Sequence, residues 1–251
     1  MSTPQISQFV DQLLDTVINR TIPVEPYQGL ISSLARQVHD FECRATKVVI
    51  FGGGTGLSTV IGGNSRLEDW PQNPFVGLKQ DFPYMNVVVC TTDDGGSTGR
   101  LLQQLPMIGI GDFRKILLSM ILQENLQAAY GLDNFTTRQL IHIIHSIFNH
   151  RFQERSRGFR YVVDPILLVP RDIRKYCPEP LAGLLSSLGK FISPGGEGPV
   201  IAPGGHCLGN LILTAAIFRS GAYMFHPYAC SALSSIHRGP GCTPLRPTFL
   251  I

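Results

Sequence analysis

The sequence predicts an open α/β fold in which helices cover both faces of a parallel sheet. Two runs rich in valine and isoleucine, residues 47–51 and 87–91, are typical of buried parallel strands. Each run is followed by a glycine-rich loop that opens a helical pattern, Gly52–Ser58 after the first strand and Thr92–Arg100 after the second. Because ligands bind at the carboxyl ends of strands in such folds, we expect the two loops to line one site.

Composition limits the function classes. A chain of 251 residues that is 43% hydrophobic can bury the core of one large or two small domains. A formal net charge of +3 is too small to indicate nucleic-acid binding. The six cysteines form no C-x-x-C pair, which indicates free thiols in a reducing compartment. With no visible secretory signal or membrane-spanning run, we expect a cytoplasmic protein that binds neither nucleic acid nor a membrane.

We predict three segments. Residues 1–45 form a helical extension, with helical spacing of apolar residues at 5–19 and 30–38. Residues 46–218 form the ligand-binding domain. Residues 219–251 are interrupted by prolines, lack periodicity and are expected to be an irregular tail.

Three stretches inside the domain carry separate expectations. Residues 62–85 are rich in Gly, Asn, Pro and Asp, and we expect either a surface insertion or a lid. Short apolar runs at 161–163 and 166–169 predict strands. Residues 151–160 interleave arginines with aromatic residues, which fits an anion or RNA patch, although a solvated helix end is the commoner meaning.

The first glycine loop combines a strand, a tight turn and a helix amino terminus, which together favour phosphate binding. It departs from the dinucleotide fingerprint because Leu57 stands where the third glycine belongs. It is not a P-loop either, because no lysine lies between Lys47 and Lys79. A tight turn without a ligand is the structural alternative.

The second loop contains Asp93 and Asp94 among glycines and hydroxyl groups. Two adjacent carboxylates can hold Mg²⁺ or accept hydrogen bonds from a ribose or sugar. Arg100 can pair with a phosphate through two hydrogen bonds. An ordinary acidic turn explains Asp94 and Gly95 but not the whole loop.

Two more motifs begin helices. Asp112, in Gly-Asp-Phe-Arg, is predicted to cap a helix. Arg114 lies in the first turn, where the helix dipole disfavours a cation, and we therefore expect it to face an anion. His206 and Asn210 lie near the start of an apolar helix.

In this order the four motifs resemble those of the gluconeogenesis factor family (YvcK-type), within the wider superfamily of 2-phospho-lactate transferase (CofD-like). The first motif matches without change. The second has Thr98 where a serine is usual, and the third has Gly109 and Ile110 where two prolines are usual. The resemblance runs from about Lys47 to Phe218.

The resemblance implies a Rossmann-like fold that binds a nucleotide-containing ligand. In the gluconeogenesis factor branch the ligand is a UDP-sugar, and the role is regulatory, in carbon metabolism and cell-envelope synthesis. In the transferase branch Mg²⁺ assists transfer of a phospholactyl group to a deazaflavin. Family members continue past the last matched helix, so we expect a fold truncated on its C-terminal side, with an exposed sheet edge that favours a homo-oligomer.

We therefore predict a regulatory protein whose partner is a small nucleotide ligand, a UDP-sugar in preference to NAD or GDP. A Mg²⁺-dependent transferase is the alternative, and an NAD-binding oxidoreductase is the second alternative. The predicted ligand-binding residues are Gly52, Gly53, Gly54, Thr55, Gly56, Ser58, Gly95, Gly96, Ser97, Arg100, Asp112, Arg114, His206, Gly209 and Asn210. The predicted metal ligands are Asp93 and Asp94.

Overall fold

A computed structural model describes residues 3–19, 21–39, 46–156 and 158–220. The chain divides into two compact units, residues 1–46 and 47–251. The tail predicted for 219–251 lies outside the described residues from position 221 onward.

The first unit is a helical hairpin. Helix α1 spans Thr3–Asn19 and helix α2 spans Gln28–His39, which confirms both helices predicted for this segment. The ring of Phe9 meets that of Tyr27 edge to face, with centroids 5.5 Å apart. Ile31 is fully buried. Aromatic and aliphatic packing therefore holds the two helices together.

The second unit is built on a parallel sheet, which confirms the predicted α/β class. Strand β1 (Val49–Gly52) pairs in parallel with β2 (Asn86–Val89), and Val49 lies opposite Asn86. Helix α3 (Gly54–Gly62) follows β1. The remaining described helices are α4 (Leu78–Asp81), α5 (Gly96–Gln104), α6 (Gly111–Ser119), α7 (Gln123–Tyr130), α8 (Asn134–Asn149), α9 (Phe159–Val163), α10 (Glu179–Phe191) and α11 (Leu208–Arg219).

The largest core cluster lies among the helices. Residues 208–216 of α11 are all buried, as expected of a helix that is apolar on every side. Helix α8 adds a buried face that includes Leu140 and Ile144. A smaller cluster under the sheet joins Leu57 of α3 to Val87 of β2. Helix packing therefore supplies most of the described core.

The strands predicted at 161–169 are wrong. The first run lies in α9, and Pro165–Leu168 form a 3-10 helix. Val162 and Val169 are both buried. Periodicity cannot distinguish a short buried strand from a short buried helix, and here the apolar runs belong to helical turns.

The stretch at 62–85 is not a loose surface insertion. Trp70 is buried, and its indole Nε1 donates to the carbonyl of Gly62 at 2.8 Å. Lys79 is 2% exposed, and its Nζ donates to Ser119 O at 2.6 Å and to Pro74 O. These contacts tie the stretch to α3 and α6, so it is part of the fold.

Among the described residues, none of the helices combines the length and the apolar character needed to cross a membrane.

The buried amine of Lys79 predicts a pH-dependent stability. Burial lowers the pKa of Lys79 from 10.5 to about 7. Between about pH 7 and 10 the unfolded chain therefore holds a proton that the folded chain has lost, and the free energy of unfolding rises with pH. The rise is at most about 1.4 kcal/mol per pH unit. Urea denaturation followed by the fluorescence of Trp70, the single tryptophan, measures it.

We expect Lys79→Met to remove this rise and the exposed control Lys190→Met to keep it. If the free energy of unfolding changed with pH in the same way in wild type and Lys79→Met, the amine of Lys79 would be protonated in the folded protein.

Candidate functional site at four helix amino ends

The four predicted motifs come together in the second unit. They supply the amino ends of α3, α5, α6 and α11, and polar contacts join these ends to one another. The amino end of a helix carries unpaired N–H groups and a partial positive charge. Four such ends in one place form a surface that attracts negative charge and hydrogen-bond acceptors.

Asp112 joins α3 to α6. Its Oδ2 accepts a hydrogen bond from the backbone N–H of Gly54 at 2.5 Å, and its Oδ1 pairs with Lys115 Nζ at 2.7 Å. The prediction that Asp112 caps α6 is wrong, because Ile110 occupies the cap position. An N-cap side chain accepts a hydrogen bond from the second or third backbone N–H of its own helix. The Asp112 carboxylate instead accepts from the N–H of Gly54, the first free donor of the neighbouring helix α3.

The glycine turn lies directly against the end of β2. A Cβ on Gly53 would lie 2.9 Å from Cys90 Cβ and 3.1 Å from Asp112 Oδ2. The exposed thiol of Cys90 contacts Thr92 Oγ1 at 3.0 Å, and the hydrogen bonds with Thr92 lower the pKa of that thiol. Only glycine allows this approach, so the two loops adjoin as predicted.

Asp93 and Asp94 differ in their surroundings. Asp93 is partly buried, and its Oδ1 accepts from the N–H of Gly95 at 3.1 Å. A Cβ on Gly111 would clash with its Oδ2. Asp94 is exposed. Asp93 therefore shapes the turn at the start of α5, while Asp94 faces solvent.

Arg114 links α6 to α11 from a buried position. Its Nε donates to Asn210 Oδ1 at 2.9 Å, and its Nη1 donates to Phe148 O at 2.8 Å and Asn149 Oδ1 at 2.7 Å. Burial lowers the pKa of the guanidinium. These partners are neutral oxygens rather than the anion expected from the sequence, so Arg114 acts first as a brace between helices.

Ser97 links α5 to the entry of α11. Its Oγ lies 3.3 Å from His206 Nδ1 and accepts from the N–H of Cys207 at 3.1 Å. Asn210 Nδ2 donates to Thr98 Oγ1 at 3.4 Å. The second and fourth motifs are therefore in direct contact across more than a hundred residues of sequence.

Arg100 lies at the open side of this junction. It makes two hydrogen bonds with Glu154, at 2.6 and 2.8 Å, and both side chains are exposed. The pair lies beside Gly205, where a Cβ would clash with the guanidinium. Arg151 Nη1 donates to Gly205 O at 3.2 Å.

Sequence reasoning missed several members of the site. Glu154 and Arg151 lie in the arginine-rich stretch, whose meaning was left open, and no spacing rule joins Glu154 to Arg100. Asn149 of α8 and Lys115 of α6 are also absent from the predicted set of ligand-binding residues.

The remaining predicted residues lie at the end of β1 and on α3, α5 and α11. Ser58 is buried and donates to Thr55 O at 2.9 Å, which is a local contact. A Cβ on Gly54 or Gly56 would meet no atom within 4 Å, so both face open space. Gly209 packs against Phe148 O, where a Cβ would clash. The structure therefore separates glycines that pack from glycines that face outward.

A model of the family described as 2-phospho-L-lactate transferase CofD matches residues 48–231. That match covers most of the chain. The chain belongs to the CofD family. The matched region contains all four motifs, and the described part of it includes the whole junction.

Curated relatives within the CofD superfamily carry the name gluconeogenesis factor. The chain is 36% identical to the Bacillus subtilis protein over 74 residues, which is 30% of this chain and 19% of that protein. It is 34% identical to the Listeria innocua protein over 74 residues, again 30% and 19%. It is 31% identical to the Halalkalibacterium halodurans protein over 106 residues, 42% of this chain and 23% of the relative. The matched stretches thus span less than a quarter of these relatives.

Among solved structures, an X-ray structure of a protein from Bacillus halodurans matches with a TM-score of 0.33 and 21% identity, covering 76% of this chain and 37% of that one.

The donor set of this CofD family member fits Mg²⁺ in a limited way. The described residues contain no group of three or more His, Cys, Asp or Glu side chains placed to hold a metal. Mg²⁺ is commonly bound through one or two carboxylates together with substrate phosphates and waters. Asp94 and the adjacent Asp93 could supply those carboxylates once a phosphate-bearing ligand is bound.

The contrast between packed and open glycines gives a test of the loop. We expect Gly53→Ala to lower the free energy of unfolding by about 1–3 kcal/mol, because its Cβ would press on Cys90 and Asp112. The control Gly56→Ala should raise it by up to about 1 kcal/mol, since alanine favours a helix interior. Chemical denaturation measures both, and equal effects would contradict the close approach of the two loops.

Proposed function

We propose that this CofD family member binds a nucleotide sugar, of the UDP-sugar class, at the junction of α3, α5, α6 and α11. The observation that carries the proposal is the convergence of four helix amino ends on a set of glycines, carboxylates and arginines. Helix amino ends bind phosphate groups through backbone N–H donors. A pocket for a small ligand also needs a few placed polar groups to fix its orientation.

The chemistry of a nucleotide sugar suits both kinds of group at this junction. Its diphosphate needs N–H and guanidinium donors, which the helix ends and arginines offer. Its ribose and sugar hydroxyls need acceptors, and the carboxylates of Asp93 and Asp94 are acceptors of this kind. The resemblance to gluconeogenesis factors supports a regulatory role in carbon metabolism.

A Mg²⁺-dependent transferase is the second candidate. The family description, 2-phospho-L-lactate transferase, favours it, and so does the exposed position of Asp94 beside Asp93. In that case the carboxylates would hold the metal, and Mg²⁺ would neutralise charge on the transferred phosphoryl-bearing group.

Calorimetric titration with UDP-glucose, GDP and NAD tests the binding proposal. We expect UDP-glucose to bind most tightly. Gly56→Val should weaken that binding at least tenfold, because its side chain would project into the open space over the loop. Val60→Ala, an exposed change one turn further along α3, is the control and should leave affinity unchanged. Equal affinity in wild type and Gly56→Val would remove the loop from the site.

The two candidates differ in the role of Asp94. If the carboxylate holds Mg²⁺, Asp94→Asn should abolish any increase in UDP-glucose or GDP affinity caused by Mg²⁺. If it accepts hydrogen bonds from hydroxyls, affinity should fall equally with and without the metal, by about 1 kcal/mol. Because Asp94 is exposed, thermal stability should not change. An affinity that is unaffected in both conditions would exclude both roles.

A further inference from the structure

The two ends of the junction differ in the hydrogen-bond donors that they offer a ligand. Around the glycine turn, the carboxylate of Asp112 already occupies the N–H of Gly54, and Asp93 lies against Gly111. The first N–H of that turn is therefore not free for a phosphate, and Asp112 is itself paired with Lys115 Nζ at 2.7 Å. Near the start of α5 lie the guanidinium groups of Arg100 and Arg151, together with the carboxylates of Asp93 and Asp94, which precede the helix. Guanidinium donors for a phosphate are therefore present at the α5 end, whereas the first N–H of the glycine turn already has a carboxylate partner.

Arg151 is positioned for this role although no motif contains it. Its Nη1 donates to Gly205 O at 3.2 Å. Its Nη2 lies 3.9 Å from the position that a Cβ would take on Gly96, the first residue of α5. The guanidinium thus lies beside the amino end of the helix, where its charge adds to that of the helix dipole.

His206 lies close to both arginines. Burial lowers the pKa of His206, and the nearby charges of Arg100 and Arg151 lower it further. Glu154 acts in the opposite direction and raises this pKa. Glu154 is therefore the carboxylate that partly balances the group.

Glu154 holds Arg100 in the geometry that a phosphate would use. The two hydrogen bonds are parallel and bidentate, and guanidinium groups bind phosphate oxygens in the same way. The side chains are 43% and 69% exposed, so the pair is open to solvent. Exposed ion pairs contribute little to stability, and this one can exchange partners without disturbing the fold.

We propose that Arg100, Arg151 and the amino end of α5 form the phosphate-binding end of the site, and that Glu154 holds Arg100 until the phosphate or diphosphate of a ligand replaces it. The inference rests on the proposed nucleotide site, which it deepens by naming where the charged group binds. Arg151 is then a phosphate-binding residue, and Glu154 competes with the phosphate for Arg100.

Inorganic pyrophosphate is the probe, used in calorimetric titration of the full chain at fixed ionic strength. Arg151→Gln should weaken binding at least tenfold, and Arg171→Gln, an exposed change of the same charge, should not. Glu154→Gln should tighten binding several-fold, whereas Glu197→Gln, the matched exposed control, should leave it unchanged. Unfolding curves check that each variant is folded.

The double variant Arg100→Gln/Glu154→Gln tests the exchange itself. If Glu154 competes by holding Arg100, the gain from Glu154→Gln disappears when Arg100 is already replaced. A gain of the same size in that background would show general charge repulsion and would overturn the exchange. No gain in either background, or an Arg151→Gln variant that binds like wild type, would also overturn the proposal.

Parallel titrations with UDP-glucose keep the two proposals distinguishable. If pyrophosphate binding changes in the variants as expected while UDP-glucose does not bind, the phosphate-binding end stands and the nucleotide-sugar function fails. If UDP-glucose binds with an affinity that Arg151→Gln and Glu154→Gln leave unchanged, the nucleotide-sugar function stands and this inference fails.

Discussion

The structure of the second unit depends on the need to satisfy four helix amino ends that lie together. Each end presents unpaired N–H groups and a partial positive charge, and these would repel one another if left bare. Asp112 meets part of this need. The residue belongs to α6, and its carboxylate accepts a hydrogen bond from the N–H of Gly54 on α3. Ser97 meets another part by accepting from Cys207 at the entry of α11. Gly53, Gly111 and Gly209 follow from the same constraint, since a Cβ at any of these positions would press on a neighbouring segment.

This constraint also explains why the junction is suited to a ligand. The carboxylate of Asp112 satisfies the N–H of Gly54, whereas Arg100 near the start of α5 has the exposed carboxylate of Glu154 as its partner. Guanidinium donors near α5 and carboxylate acceptors in the adjoining loops suit a ligand that carries both phosphates and hydroxyls. The buried guanidinium of Arg114 joins α6 to α8 and α11 through neutral oxygens.

Much of this arrangement could be predicted from sequence, and the limits have physical causes. The two strands and the loops after them were predicted because apolar runs ending in glycine are local signals. The ion pair between Arg100 and Glu154 could not be predicted, because the two residues are 54 positions apart in the chain. Asp112 was expected to cap its own helix, since local rules cannot see a neighbouring helix that competes for the carboxylate. The runs at 161–169 were mistaken for strands, because burial rather than pairing explains their apolar residues.

Amide chemical-shift mapping by NMR with UDP-glucose tests the central claim most directly, because the claim concerns backbone N–H groups at helix amino ends. The account predicts saturable shifts in the amides of residues 54–58, 95–98 and 209–210, with the largest at the start of α5. Shifts that saturate elsewhere, such as along α10, while these three segments stay unchanged would contradict it.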